Sequence, residues 1–328
     1  MADAPWARPL SQLSDLTSPM AIRVAATLRL ADHITAGTTS VIGLARASAV
    51  NTDALGRLLR HLAAVGVVSP SGPDHYELTG LGKELVDSGP GDTRSWLDLE
   101  AASSQADLAV FGLLEAVRTG RPAETQDWSD LDGDPALSDS FDEAMAAVVA
   151  AKAPGLIAGY DWGSVEHVVD VGGGNGALLI ALLGATPSLR GTVVDRPGPV
   201  RSAIRNAAAA GLSDRLETSA QSFFDPLPRA GTVYLLSGVL HDWDDEHAAK
   251  LLARCAEAGD TVLVMESLVT PGVLPSSTTE MDLMLLCVTG GRARSAADLA
   301  KLATPAGLRV KKVSALDGPH SLVEFTTK

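Results

Sequence analysis

Apolar positions along this chain keep two different periods. Up to about residue 155 they recur at helical spacing, and from His167 onward short strand-like runs alternate with helical stretches. The first long helix is expected in MAIRVAATLRLADHI, entered through Ser18 as N-cap with Pro19 at the first helical position. Ser40–Ser48 and Thr52–Val65 follow, the second with Leu55, Leu58, Leu59 and Leu62 on one face. Beyond Gly66, two β-like pieces flank a Pro/Gly turn in VVSPSGPDHYELTGLGKEL and complete a winged helix-turn-helix pattern. Trp96–Thr119 is patterned as helix, TGRPAETQDWSDLDGDP reads as an acidic, turn-rich connection, and Ser140–Gly155 is another apolar helix carrying Met145.

After that the pattern belongs to a parallel sheet. Strands are expected at Val168–Val171, Thr192–Val194, Thr232–Leu236, Thr261–Glu266 and Arg309–Val313, with helices of about ten to fifteen residues filling the gaps, and a last strand at Ser321–Thr326. The alternation predicts an α/β doubly wound fold with ligands at the carboxyl ends of its strands. One junction stands out: VVDVGGGNGALL runs from a strand through Gly172, Gly174 and Gly176 into a helix. Such a turn lets a ligand approach the backbone where a β-carbon would collide. As a dinucleotide fingerprint, Gly172, Gly174 and Ala177 satisfy G-x-G-x-x-G/A. Asp195, at the end of the second strand, suits the ribose hydroxyls of either NAD or an adenosyl cofactor.

Composition narrows the partners. A net charge of −14 argues against nucleic acid and anionic membranes, and the second helix of the winged module offers only Arg57, Arg60 and His61 to a phosphate backbone. No apolar run approaches the roughly 18 residues of a membrane span, and MADAPWARPL lacks a signal-peptide core. Cys255 and Cys287 lie in apolar segments without metal-ligand spacing, the pattern of reduced core thiols in a cytoplasmic protein.

A second motif carries more chemistry than the glycines. LLSGVLHDWDDEHAAKLL places His241 just past a strand end, on the rim expected to hold the glycine turn, and Asp244 or Asp245 can cap the next helix. HDWDDEH also offers a set of metal-ligand types, His241, Asp242, Asp244, Asp245 and His247, although acids at a helix start ordinarily serve its dipole. DVGGGNG resembles the first motif of class I S-adenosylmethionine-dependent methyltransferases. Together with VVDRPGPV, SFFDPLP, LHDW, VLVMESLV and TGGRARSAADLAKLATPAGL, it is similar to the small-molecule O-methyltransferases, the plant caffeate and flavonoid enzymes and their bacterial antibiotic-tailoring counterparts.

The resemblance covers essentially the whole chain and implies a fold: a winged-helix dimerisation domain at 1–95, a helical linker at 96–155 that contributes to the substrate pocket, and a Rossmann-like class I methyltransferase sheet at 156–328. It also implies a metal-independent homodimer using S-adenosyl-L-methionine and releasing S-adenosyl-L-homocysteine. Apolar faces on the N-terminal helices, too extensive for one small domain to cover, likewise point to a homodimer. By resemblance Gly172, Gly174, Asp195, Ser222, Phe223 and Ser237 take cofactor-binding positions. His241 is the general base, Glu266 its carboxylate, and Met145, Met284, Cys287 and Asp242 meet the acceptor. Removing a proton from a phenol of pKa near 10 as its oxygen attacks a methyl group is work an imidazole titrating near 6.5 can do.

Three positions depart from the plant pattern: Ser222 replaces an adenine-binding aspartate, Ser237 a cofactor-contacting lysine, and Ala293 a second glutamate beside the base. The leading expectation is O-methylation of a hydroxyl on an aromatic or polyketide-like molecule in secondary metabolism. The loss at Ala293 motivates an alternative, a member that keeps the cofactor for hydroxylation, decarboxylation or pericyclic rearrangement. A non-enzymatic winged-helix sensor and an NAD dehydrogenase are further readings of the same residues.

Overall fold

The first long helix starts at an acid upstream of the Ser18–Pro19 signal. Asp15 accepts the N–H groups of Thr17 at 2.9 Å and Ser18 at 3.2 Å, so the helix spans Thr17–Thr27 and Pro19 falls in its first turn. Ser40 and Asn51 cap Val41–Ala47 and Thr52–Ala64 by accepting from Gly43 and Ala54. Strands β1 (Val68–Gly72) and β2 (His75–Leu78) then pair antiparallel as the wing. Leu30, Leu44, Leu55, Leu59, Leu62 and Tyr76 form the core of this winged helix.

A computed structural model describes residues 10–87, 93–124, 135–229, 232–270, 272–273 and 276–327. The chain divides into two units, residues 1–105 and 106–328, and the segment expected as a linker, 96–155, spans that boundary. The helical pattern of Trp96–Thr119 breaks into short pieces, Thr93–Leu97, Ala102–Leu108, a 3₁₀ turn at Ala109–Gly112 and Leu113–Thr119. Most of the acidic connection lies outside the described residues. The helix expected over Ser140–Gly155 is longer, Pro135–Gly159, and accommodates Pro154.

The second unit is built on seven strands: β3 (His167–Val171), β4 (Arg190–Asp195), β5 (Leu216–Ala220), β6 (Val233–Ser237), β7 (Thr261–Glu266), β8 (Arg309–Ala315) and β9 (Ser321–Thr326). Their spatial order is β5-β4-β3-β6-β7-β9-β8, parallel through β7, with β9 antiparallel to both β7 and β8. Two features were absent from the sequence reading. LETSA is too polar to announce β5, which is an edge strand only partly covered. The last two strands return antiparallel because residues 316–320 join them too closely for a helical crossover.

Strand alternation feeds two apolar layers. Val168, Leu235 and Leu263 pack with Leu179 and Leu182 on one side, while Val169, Val171, Leu236, Val264 and Phe325 pack with Leu251 and Leu252 on the other. The parallel strands bring their carboxyl ends, including Asp195, Ser237 and Glu266, to one rim. Among the described residues no helix is long and apolar enough to cross a membrane.

Candidate active site

The glycine turn closes tightly on the neighbouring strands. Gly172, Gly174 and Gly176 have φ of 74°, 57° and 76°, the left-handed region that favours glycine. A Cβ on Gly172 would lie 2.8 Å from Val239 Cγ2, and one on Gly173 would lie 2.8 Å from Asp170 Oδ2. The Gly174 N–H donates to Asp195 Oδ2 at 2.8 Å and the Arg196 N–H to Oδ1 at 2.7 Å, so Asp195 ties the turn to the end of β4.

Beneath the turn sits Asp170, 1% exposed. Its Oδ2 and the Ser237 Oγ are buried without a hydrogen-bond partner in the protein. Burial pushes the Asp170 carboxyl up to about 7, with Lys152 opposing and Asp195 adding to the rise. Two orphaned polar atoms beside a backbone stripped of β-carbons form a cradle that fits a small polar ligand such as an adenosyl cofactor.

A raised carboxyl pKa in the fold is stability present at low pH and lost as pH rises through the folded value. Asp170→Asn is therefore expected to raise the melting temperature of the ligand-free protein at pH 8 and to change it little at pH 4. The same variant weakens S-adenosylhomocysteine binding by calorimetry. An unchanged or lower melting temperature at pH 8 would refute the burial penalty on the Asp170 carboxylate.

The second half of the site is a single turn held by one carboxylate. β6 ends at Ser237, Gly238 turns with φ of 67°, and Leu240–Asp242 forms one 3₁₀ turn. Asp244 then caps the helix Asp245–Ala258 by accepting the His247 N–H. From the end of β7, Glu266 reaches across. Its Oε1 accepts the N–H groups of Leu240 at 3.1 Å and His241 at 3.3 Å, and its Oε2 accepts His241 Nδ1–H at 2.5 Å. The ring is thus fixed in orientation, with Nδ1 turned to Glu266 and Nε2 3.6 Å from Asp242 Oδ1.

Charge on this turn is strongly coupled. Burial alone would depress the His241 pKa, but Glu266 and Asp242 outweigh it and push the imidazole up to about 9, with Lys152 opposing. Burial likewise works against ionising Glu266, yet His241, the converging N–H groups and Lys152 hold it below its ordinary value. Asp242 rises to about 6, first through burial and then through Glu266, with His241 opposing.

Comparison with known proteins assigns this arrangement. The O-methyltransferase domain family matches residues 113–309, and the O-methyltransferase dimerisation domain family matches residues 10–88. The chain belongs to the O-methyltransferase family. It is 46% identical over 325 residues to the 2,7-dihydroxy-5-methyl-1-naphthoate 7-O-methyltransferase of Streptomyces carzinostaticus, covering 97% of each. It is 43% identical to aclacinomycin 10-hydroxylase of Streptomyces purpurascens, covering 97% of this chain and 89% of that one. A crystal structure of an O-methyltransferase from neocarzinostatin biosynthesis, in complex with S-adenosylmethionine and 2-hydroxy-5-methyl naphthoic acid, superposes with a TM-score of 0.92. That match has 45% identity and covers 97% of this chain and 98% of the other.

Within this O-methyltransferase fold, the remaining expected positions fall as follows. Phe223 is half-buried, with its ring edge 3.7 Å from a Cβ built on Gly172, and it stacks edge-on against Phe224 and Trp243. Ser222 is exposed, and its Oγ accepts the Phe224 N–H within its own turn. Met145 is half-buried on the helix Pro135–Gly159, Met284 is half-buried on Ser276–Val288, and Cys287 on that second helix is 2% exposed. No described contact joins these three to His241.

Four site residues escaped the sequence reading. Asp170 had a signal, a lone acid inside an apolar strand, and was used only as part of a motif. Lys152 comes from the helix Pro135–Gly159. Its Nζ lies 3.6 Å from a Cβ built on Gly238, and its electrostatic neighbours are Asp170, Glu266 and Asp242. It brings an amine beside Gly238, the residue after Ser237. His320, beside β9, feels Lys152, Glu266 and His241. Arg294, hidden in GGRARS, contacts the His241 turn directly. Neither Lys152 nor His320 stands in any local pattern that distinguishes it from a surface residue.

Proposed function

We propose that this O-methyltransferase transfers a methyl group from S-adenosylmethionine to a hydroxyl of an aromatic or polyketide-like small molecule in secondary metabolism, with His241 as general base. The observation that carries the reading is the His241 imidazole. Its Nδ1–H is committed to Glu266, which leaves Nε2, 3.6 Å from Asp242 Oδ1, as the ring nitrogen that can take a proton, on the turn that follows the carboxyl end of β6. A base so oriented takes a proton only at Nε2.

Bound S-adenosylmethionine supplies an electrophilic methyl group on a sulfonium. The chain's part is to hold and orient. Gly172 and Gly174 allow close approach, Asp195 offers carboxylate lone pairs to ribose hydroxyls, and Phe223 offers a ring face to adenine. Asp170 and Ser237 offer their unpartnered atoms to polar groups. The acids Asp170, Asp195, Asp242 and Glu266 make this rim suit a cationic ligand better than an anionic one. Met145, Met284 and Cys287 supply adaptable, polarisable surface for a flat acceptor, and Asp242, beside Nε2, meets the hydroxyl that loses its proton. The protein acts as a homodimer through its dimerisation domain, whose Leu10, Leu13, Leu16 and Ile42 are exposed in one chain. A cytoplasmic location is supported by two buried free thiols, Cys255 and Cys287.

The test is product mass with 2,7-dihydroxy-5-methyl-1-naphthoate as first acceptor, followed by a panel of phenols. Gain of one methylene with stoichiometric S-adenosylhomocysteine is the expected result. The similarity to aclacinomycin 10-hydroxylase, together with Ala293, sustains a second reading of non-methylating tailoring chemistry. Turnover without S-adenosylhomocysteine release would select it.

A further inference from the structure

The turn that carries His241 is gripped from two sides, and only one grip belongs to Glu266. Glu266 takes the N–H groups of Leu240 and His241. The carbonyls of the same turn point the other way, into the segment Gly291–Arg294. Arg294 Nη1 donates to the Leu240 carbonyl at 2.7 Å, the Arg292 N–H to the His241 carbonyl at 2.8 Å, and Arg294 Nη2 to the Trp243 carbonyl at 2.7 Å. Arg294 also donates from Nε and Nη2 to Asp245 Oδ1 at 3.0 and 2.8 Å.

The guanidinium is almost wholly enclosed, with its side chain 3% exposed, and its planar fork meets three acceptors at once. Its own backbone is anchored as well. The Arg294 carbonyl accepts the Val269 N–H at 3.0 Å, close behind Glu266, and Ser295 opens the next helix with a capping box. The approach is so close that a Cβ on Gly291 would lie 2.0 Å from the His241 carbonyl oxygen.

We propose that Arg294 is a positioning residue for the reaction, fixing the His241 turn from its carbonyl side while Glu266 fixes it from its amide side. The inference rests on the reading of His241 as base. Arg294 touches neither ring nor acceptor. The charged groups that face the imidazole are Glu266 from β7, Asp242 from its own turn, Lys152 from the helix Pro135–Gly159 and His320 from beside β9. Without Arg294, the buried Leu240 carbonyl and the partly buried Trp243 carbonyl lose their donor and the turn relaxes toward solvent, taking Nδ1 away from Glu266.

The test uses Arg294→Met and Arg294→Lys in the full chain, with folding verified by S-adenosylhomocysteine-dependent melting. Arg294→Met is expected to lower kcat about 30-fold, since misplacement by one ångström costs on the order of 10²-fold, with little change in the KM for S-adenosylmethionine. Arg294→Lys recovers part of the rate. The His241 imidazole, followed by NMR titration, moves from about 9 toward the ordinary 6.5. In a His241→Ala background, Arg294→Met adds no further loss.

A folded Arg294→Met protein with wild-type kcat and an unmoved His241 titration overturns the proposal, as does an equal rate loss in the His241→Ala background. If the Met variant does not fold, the Lys variant is read by the same titration. Should His241→Ala itself keep full rate, the base assignment fails. The titration still decides whether Arg294 places the imidazole.

Discussion

His241→Ala lowers kcat for methyl transfer by about 10²–10⁴-fold, the range of a lost general base, while the affinity for S-adenosylhomocysteine stays near wild type. The separation follows from geometry. His241 stands on a turn after β6, whereas most of the atoms available to the cofactor, Ser237 and Phe223 apart, belong to β3, β4 and the glycine turn. The pH profile gives a second readout. With the imidazole at about 9 it is protonated at pH 7, so kcat/KM at limiting acceptor should climb with pH through a midpoint near 9. Stopped-flow or mass-spectrometric rates from pH 6 to 10 check this. A flat profile in the wild type, or full activity in the alanine variant, would remove His241 from the mechanism.

Glu266→Gln is expected to cost about 10³-fold in kcat, because it undoes orientation and charge together. Three N–H donors converge on the two oxygens of Glu266, and an amide has only one oxygen to offer, so at least one donor faces an N–H₂ group. Loss of an orienting carboxylate behind a catalytic histidine costs about 10⁴-fold in the serine-protease triad. Here Asp242 keeps a negative charge near the ring, and the loss should be smaller. With Glu266 neutral, burial is opposed mainly by Asp242, so the midpoint of the kcat/KM profile moves to lower pH even as the plateau falls.

Stability follows the same pair. Glu266, held below its ordinary 4.5, contributes above that value and is lost as pH falls. His241, raised above its ordinary 6.5, contributes fully below that value and is lost as pH rises through about 9. The gap in melting temperature between wild type and Glu266→Gln is therefore widest near pH 5 to 6 and narrows toward pH 10. A gap that widened with pH would contradict the assigned pair.

Much of the site was legible because its signals are local. A glycine turn between strand and helix advertises itself in seven residues, and LHDW and the end of VLVMESLV each place a titratable side chain at a strand terminus. Other parts were not legible, each for a reason. β5 is an edge strand whose residues keep no apolar period, so nothing in LETSA separates it from a loop. Lys152 belongs to a helix whose apolar residues dominate its pattern, and only the packing of that helix turns the amine toward Gly238. Asp242, read from resemblance as an acceptor contact, is also the second carboxylate beside His241, in a fold whose Ala293 supplies none.

The sequence by itself determined the two periods, the winged helix, the parallel sheet and the placing of glycines and His241 at strand ends, because side-chain period and turn chemistry act over a few residues. Only the tertiary structure decided which charges meet. Glu266 lies 25 residues from His241 and Arg294 lies 54 residues from Leu240, yet both close on one 3₁₀ turn. Pairings of that kind depend on which strands become neighbours and on how deeply each group is buried. Burial is what turns a histidine, a glutamate and an arginine into a fixed base with a direction.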